Sequence, residues 1–187
     1  MRESAFNSIS IITTTGFSTG DFGAWRPALQ IFMVGLMFIG GMAGSTAGGV
    51  KIFRVGLLGK AAVNDLRRVV HPRGVFVTRF GDRVVRDEIL DGVQSFFSFY
   101  MFAFMTGTFL LAFIDANAGE DLGLVTAASA VAACIGNIGP GLGDVGPALH
   151  YLAIPDVGLW LLSFLMILGR LEIFPILLLF TRDLWSR

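Results

Sequence analysis

The stretch TTTGFSTG at residues 13–20 ends a short apolar segment that begins at residue 6, and CIGNIGPG at residues 134–141 ends another that begins at residue 122. Helices of these lengths would extend only about 15–20 Å, which is too short to cross a bilayer. Each is followed by a polar turn and then by a longer apolar segment. This repeated order predicts two re-entrant loops that dip into a membrane and return on the side from which they entered.

The composition is that of a membrane protein. Of the 187 residues, 54% are hydrophobic and 15% are charged, whereas soluble domains have about 25% charged residues. The mean hydropathy is +0.72. A net charge of zero argues against a general nucleic-acid binder, and a single cysteine, Cys134, excludes an internal disulfide framework or a cysteine-based metal cluster. No catalytic triad or carboxylate pair stands out, so we expect no enzymatic activity.

Three apolar segments are long enough to span a bilayer, at residues 27–44, 93–114 and 157–180. Nine of the 14 lysines and arginines lie in the connection 51–91, whereas the connection 115–121 has none. The positive-inside rule therefore predicts that residues 51–91 and the C-terminus face the cytoplasm and that residues 115–121 face outward. Both re-entrant loops then enter from the outside.

Non-helical backbone at membrane depth is tolerated only where it is buried in protein or lines a wet cavity. Glycine permits backbone angles that aim several carbonyls the same way, and rings of carbonyls can replace the hydration shell of a cation. The hydroxyls of Thr14 and Thr15 would add oxygen ligands. Aligning the loops with Gly16 opposite Gly136 predicts two copies related by rotation about the membrane normal. The alternative is that both loops only pack.

The stretch GGMAGSTAGGVK at residues 40–51 is the second glycine-rich signal. It fails as a phosphate-binding Walker A motif, because Val50 precedes Lys51 and no buried strand leads into it. It could be a small-residue face for helix packing. The sharper hypothesis is a break in the spanning helix, since each glycine costs about 1 kcal/mol relative to alanine in a helix. An unwound stretch below the re-entrant loops would suit a gate.

Two charged residues, Arg170 and Glu172, interrupt the last apolar segment. A charge within the membrane costs several kcal/mol unless it is paired or hydrated, which favours a functional role. We expect Arg170 to face the pore as an electrostatic barrier or to reach a carbonyl. Residues two apart on a helix point in different directions, so we expect Glu172 to pair with another element. The alternative places both residues near the cytoplasmic edge.

Five stretches resemble, in the same order, the C-terminal half of the bacterial membrane subunit of the Trk/Ktr/HKT superfamily of potassium transporters: FNSISIITTTGFSTGDF, GGMAGSTAGGVKIFR, HPRGV, IGNIGPGLG and MILGRLEIFPILLLF. Members of this superfamily have four M1–pore helix–M2 repeats around a pseudo-fourfold pore. The resemblance implies an all-α integral membrane protein with about one and a half repeats. Residues 1–55 would be the third repeat without its first helix, residues 56–90 a basic cytoplasmic connection, and residues 91–187 a complete fourth repeat. The abrupt start is what we expect of a fragment or a truncated gene model.

Residue by residue, the resemblance implies a selectivity filter and a gate. The filter would comprise Thr14, Thr15, Gly16 and Phe17 of the third repeat and Ile135, Gly136 and Asn137 of the fourth. K⁺ would bind at these filter residues only. The gate would lie beneath it and comprise Ala43, Gly44, Ser45, Thr46, Ala47, Gly48, Gly49, Lys51 and Arg170.

The implied function is channel-like potassium uptake in the inner membrane of a bacterium. The resemblance also implies gating by a cytosolic nucleotide-binding ring of the TrkA/KtrA type, docked on the basic connection, and a homodimer of full-length subunits. No covalent cofactor is expected, nucleotide would enter only through the partner, and nucleic acid is not a partner. The alternative is a non-conducting membrane fragment or scaffold. Selectivity for K⁺ over Na⁺ and coupling to H⁺ or Na⁺ stay open.

The predicted topology can be tested by labelling from one side of the membrane. Single cysteines at Lys60 and Asn117, in a Cys134→Ser background, should react with a membrane-impermeant reagent from opposite sides, because the first lies in the basic connection and the second in the acidic one. Labelling of both positions from the same side would contradict the predicted topology.

Overall fold

The computed structural model describes residues 2–42, 44, 45, 47–74, 76–81, 83–119, 122–172 and 175. Its six α helices, in chain order, are α1 (Arg2–Ile12), α2 (Pro27–Met37), α3 (Ile52–Val70), α4 (Asp87–Ala118), α5 (Leu124–Ile135) and α6 (Asp156–Arg170). Four strands of two residues each are β1 (Ile39–Gly40), β2 (Val50–Lys51), β3 (Arg79–Phe80) and β4 (Arg83–Val84). Single 3₁₀ turns occur at Phe22–Ala24, Gly143–Val145 and Tyr151–Ala153. The predicted all-α class is confirmed.

The longest helix is α4, with 32 residues. Asp87 and Glu88 occupy its first turn, where their negative charge interacts favourably with the helix dipole. Gly119 ends the helix in the left-handed region with φ of 79°. By length and composition it is the one described helix that could cross a membrane alone. It contains the whole of the predicted spanning segment 93–114. The predicted domain boundaries at 55/56 and 90/91 fall inside α3 and α4, and the division into domains stays a prediction.

The other two predicted spanning segments are interrupted. The helix α2 stops at Met37 rather than continuing to residue 44, because the glycine-rich stretch that follows takes an extended and looped conformation. The helix α6 ends at Arg170, and Glu172 has a positive φ of 58°. The rest of the segment, apart from residue 175, and the C-terminus predicted to be cytoplasmic lie outside the described residues, as do residues 120 and 121 of the predicted outer connection. The break predicted within residues 40–51 is confirmed.

The segments that enter and leave this break lie side by side. The strands β1 and β2 pair in parallel, with Ile39 opposite Val50 and Gly40 opposite Lys51. The N–H of Val50 donates to the Phe38 carbonyl at 2.9 Å, and that of Ile52 donates to the Gly41 carbonyl at 3.2 Å. The parallel pairing means that the chain resumes its earlier direction after the loop 41–49. These bonds also satisfy backbone groups that the broken helix would otherwise leave unpaired in a membrane.

The short helix α5 is the centre of the core. Nine of its 12 residues are buried, and it packs against α2, α4 and α6. Its alanines at positions 127, 130, 132 and 133 are at most 1% exposed, and such small side chains let neighbouring helices approach closely. One side meets a cluster that includes Leu111, Leu162 and Leu165, and the other meets one that includes Phe22 and Met33. A helix too short to span a membrane is therefore enclosed by α2, α4 and α6.

Two glycines of α4 provide a matched test of this packing. A Cβ at Gly107 would lie 2.8 Å from Cδ1 of Leu165 and 3.2 Å from Cγ1 of Val131, whereas a Cβ at Gly92 would meet nothing within 4 Å. Gly107→Leu should lower the free energy of unfolding by about 1–3 kcal/mol through overpacking, and Gly92→Leu should not lower it. The unfolding temperature of the detergent-solubilised chain measures the difference. Equal effects of the two substitutions would contradict the close α4–α6 contact.

Candidate functional site

The two glycine-containing loops share an uncommon backbone conformation. Thr14 and Asn137 each have φ of 53°, and two residues later Gly16 and Gly139 have φ of 77° and 116°. A residue other than glycine seldom adopts a positive φ, so its occurrence at the same point after two short helices is informative. The loops therefore correspond with Thr14 on Asn137 and Gly16 on Gly139.

Hydrogen bonds at the helix ends give the same register. In the first loop Thr13 N–H donates to the Ile9 carbonyl and Thr15 N–H to that of Ser10, both at 2.9 Å. In the second, the same bonds run from Gly136 to Ala132 and from Ile138 to Ala133, both also at 2.9 Å. Each set closes the last turn of its helix with the same pattern. The two loops are thus copies of one local structure.

This register corrects the sequence alignment that placed Gly16 opposite Gly136. Gly136 caps α5 with right-handed helical angles, φ of −76° and ψ of −10°, and so does not correspond to Gly16. The misalignment arose because the second loop offers glycines at positions 136, 139 and 141, and identity with the first loop is low. The segment equivalent to residues 14–17 is 137–140, three positions later than predicted.

The predicted filter residues occupy different environments. Ile135 is the last residue of α5 and is fully buried, whereas Asn137 is partly exposed. In the first loop Phe17 is 74% exposed, and the hydroxyls of Thr13 and Thr15 lie 2.8 Å apart. The exposed positions therefore cluster in the loops themselves and not in the last turn of α5.

Side chains from other segments hold both loops in place. Asn137 Nδ2 donates to the Met166 carbonyl of α6 at 3.1 Å, and the Tyr151 hydroxyl donates to the Gly139 carbonyl at 2.6 Å. Asn7 of α1 donates to the Gly20 carbonyl at 3.1 Å and accepts from Thr19 N–H at 3.2 Å. Sequence reasoning missed Asn7 and Tyr151. The sequence signal for Asn7 was an amide side chain within an apolar segment. No sequence signal pointed to Tyr151.

Three glycines from separate segments touch carbonyls at the end of α5. A Cβ at Gly16 would lie 2.0 Å from the Ile138 oxygen, one at Gly48 would lie 2.2 Å from the Gly136 oxygen, and one at Gly169 would lie 1.9 Å from the Ile135 oxygen. No side chain fits at these distances, so only glycine permits the approach. We call this set of contacts the glycine junction. It joins the first loop, the loop 41–49 and α6 to the second loop.

The glycine junction brings parts of the predicted gate up to the second loop. Within the loop 41–49, Gly44 and Gly49 have φ of 86° and 73°. Ser45 N–H donates to the Met42 carbonyl at 2.9 Å, and Ala47 N–H donates to the Ser45 hydroxyl at 3.2 Å. The predicted gate residues Ala43 and Thr46 lie outside the described residues. Arg170 follows Gly169 directly and ends α6 with an exposed side chain.

Glu172 binds two cationic side chains near the start of α3. Its carboxylate accepts from Lys51 Nζ and, at 2.7 Å, from Arg54 Nη2. The Arg54 guanidinium also lies 4.1 Å from the centre of the Phe96 ring. The expectation that Glu172 pairs with a different element is confirmed. We call Lys51, Arg54 and Glu172 the ion cluster, and it connects the far end of the loop 41–49 to the break after α6.

A resident metal centre of side-chain ligands is absent from the described part of the chain, which contains no suitable group of three His, Cys, Asp or Glu residues. The groups available to a cation in the two loops are backbone carbonyls and the threonine hydroxyls. Such oxygen ligands suit a transported alkali cation and do not require a charged side chain.

Comparisons with known proteins agree with these features. The model of the TrkH family, described as cation transport protein, matches residues 1–186. The chain is 38% identical to the Trk system potassium uptake protein TrkI of Halomonas elongata, covering 100% of this chain and 37% of that protein. It is 40% identical to the Trk system potassium uptake protein TrkH of Vibrio parahaemolyticus, covering 98% of this chain and 36% of that protein.

A solved structure matches as well. The crystal structure of the potassium transporter TrkH from Vibrio parahaemolyticus aligns with a TM-score of 0.86 at 39% identity, covering 98% of this chain and 37% of the other. The chain therefore spans little more than a third of the length of the relatives it matches. These relatives are potassium transporters, which are not enzymes.

The ion cluster yields a stability prediction. Glu172→Gln should leave Lys51 and Arg54 without their counter-charge and lower the free energy of unfolding by about 1–2 kcal/mol, less than for a fully buried pair because the glutamate side chain is 40% exposed. The matched control Glu88→Gln removes a carboxylate that is 85% exposed and lies 3.9 Å from Arg86. Thermal unfolding in detergent measures both. Loss of stability in the control alone would contradict the role given to Glu172.

Proposed function

The chain belongs to the TrkH family of cation transport proteins, and from this premise we propose that it forms part of the pore of a potassium uptake system in a bacterial inner membrane. The family and the structural match indicate a membrane transporter. The proposal is carried by the pair of loops with matching left-handed backbone at Thr14 and Asn137. Its substrate is K⁺, as in the names of the relatives.

In this proposal, residues 14–17 and 137–140 form two sides of the selectivity filter. Backbone carbonyls of both segments replace water around K⁺, and Thr14 and Thr15 contribute hydroxyl oxygens. Support comes from the equal register of the two segments and from the contact between Gly16 and Ile138, which places them side by side. Ile135 and Gly136 then act beneath the filter by positioning the second loop, because they form and cap the last turn of α5.

The gate is proposed to be the loop 41–49 together with Lys51 and Arg170. The loop separates α2 from α3, and Gly48 touches the end of α5 just before the second filter segment. Arg170 lies one residue after the glycine of α6 in the glycine junction. The positive charge of Arg170 would oppose the passage of cations past the loop 41–49. Movement of this loop would then change flux while leaving the filter intact.

Regulation and assembly follow from the same proposal. Residues 51–91 face the cytoplasm and include the basic surface of α3 and the β3–β4 hairpin. A cytosolic nucleotide-binding ring docks on this region and controls the loop 41–49 through α3, which begins directly after Lys51. The subunit functions as a homodimer.

A chimera tests the function. Residues 1–187 replace the matching segment of TrkH from Vibrio parahaemolyticus, and the product is expressed in a bacterium that lacks its own potassium uptake systems. We expect growth at low potassium to match that supported by the parent TrkH. If the chimera accumulates in the membrane in equal amount but supports no growth, the segment is a non-conducting scaffold and the proposal is wrong.

The filter assignment predicts a loss of selectivity in Gly16→Ser. Serine disfavours the positive φ of 77° at this position, and its Cβ would meet the Ile138 oxygen. Uptake of K⁺ relative to Na⁺ in vesicles that contain the chimera should fall. The control Gly35→Ser lies on α2, where a Cβ meets nothing within 4 Å. An unchanged ratio in Gly16→Ser would count against this filter.

The gate assignment predicts more flux with unchanged selectivity. Partial deletion of residues 44–49 removes the proposed obstruction, and Arg170→Ala removes a positive potential from the ion path. Either change should raise K⁺ uptake by the chimera or make that uptake less dependent on the partner ring. The ratio of K⁺ to Na⁺ uptake should stay constant, since the filter is built from other loops. Lower flux at normal expression would mean that the loop supports the open pore and does not block it.

A further inference from the structure

An open cavity of about 480 Å³ lies between α3 and the segment that leads into the β3–β4 hairpin. It belongs to neither the filter nor the gate. Three cationic residues line it, together with one amide and two valines: Lys60, Arg67, Arg79, Asn64, Val63 and Val77. No described residue that lines this cavity is acidic.

The walls of the cavity are held together by contacts that leave its positive charge uncompensated. Lys60 Nζ donates to the Arg79 carbonyl at 2.8 Å and lies 5.3 Å from the centre of the Phe80 ring. Asn64 Nδ2 donates to the Thr78 hydroxyl at 2.9 Å. Neither Arg67 nor Arg79 forms an ion pair with any described residue. An anion that enters the cavity would therefore meet two guanidinium groups without a competing carboxylate from the described residues.

An exposed apolar stripe runs along α3 beside this cavity. Val63, Leu66 and Val70 are spaced by three and four residues and so lie on one face of the helix. Their exposed fractions are 48%, 69% and 71%, and the adjacent Val69 is 79% exposed. Arg67 lies next to the stripe and lines the cavity. A helix with an apolar face bordered by basic residues is typical of segments that lie in a membrane interface.

We infer that this cavity binds the phosphate headgroup of an anionic phospholipid of the cytoplasmic leaflet, while the apolar stripe of α3 contacts the acyl chains. The inference rests on the proposed function, which places residues 51–91 on the cytoplasmic side of the membrane. Arg67 and Arg79 provide the charge, and Val63 connects the stripe to the cavity because it belongs to both. An acidic protein segment would match the charges alone, whereas a phospholipid matches both the charges and the apolar stripe. The combination of charge and apolar surface therefore favours a lipid.

Lipid binding by the full 187-residue chain tests this inference without requiring transport. The purified chain in detergent is titrated with phosphatidylglycerol, and with phosphatidylcholine of the same acyl chains, and bound lipid is counted by native mass spectrometry. We expect one saturable phosphatidylglycerol site of higher affinity than any phosphatidylcholine site. Arg67→Gln with Arg79→Gln should weaken it about fivefold for each arginine removed. Arg67→Lys with Arg79→Lys should retain most of the affinity, which also shows that these positions tolerate substitution.

The matched control is Arg73→Gln with Arg86→Gln, which removes equal charge from exposed positions that do not line this cavity. An equal loss of phosphatidylglycerol in the control and in the cavity variant would overturn the site in favour of diffuse charge. Displacement of phosphatidylglycerol by an equal concentration of inorganic phosphate would overturn the lipid as the ligand. A dimer that excludes lipid from the cavity would assign this face to a second copy. Failure of the chimera to transport K⁺ would leave these binding results unaffected.

Discussion

The structure depends on a close approach of backbone to backbone at the C-terminal end of α5, where carbonyl oxygens of residues 135, 136 and 138 each touch a glycine of another segment. A Cβ at any of these glycines would lie about 2 Å from an oxygen, well inside contact distance. Four segments can meet there only because no side chain intervenes. Non-helical backbone within a membrane must be enclosed by protein or face a wet cavity, and this junction supplies protein contacts for part of that backbone.

A second contact couples the two breaks in the helices. The ion cluster joins Lys51 and Arg54, just after the loop 41–49, to Glu172, just after α6. The C-terminal end of the loop is therefore held by two contacts, that of Gly48 in the glycine junction and the bond from Lys51 to Glu172. The paired charges thus connect the two breaks directly, and in the proposed function the first of these breaks contains the gate.

The sequence predicted those features that depend on local chemistry. Three such features follow from segment length, glycine content and the cost of a charge in a membrane. They are the two helices too short to span, the break at the glycine run, and the partner for Glu172 on another element. The register of the second loop did not follow, since glycines at 136, 139 and 141 fit equally well until backbone angles distinguish them. The parallel pairing of β1 with β2 and the Tyr151 bond to Gly139 arise from tertiary packing, which leaves no local pattern.

The most direct test of the glycine junction is the unfolding temperature of Gly169→Ala. Helix propensity alone favours alanine over glycine in α6 by about 1 kcal/mol, so a free position would be stabilised. The junction predicts the opposite sign, because the added methyl would lie 1.9 Å from the Ile135 oxygen. Gly59→Ala in α3, where a Cβ meets nothing within 4 Å, is the control and should be stabilised. A lower unfolding temperature for Gly169→Ala is the predicted result, and an increase equal to that of the control would contradict the account.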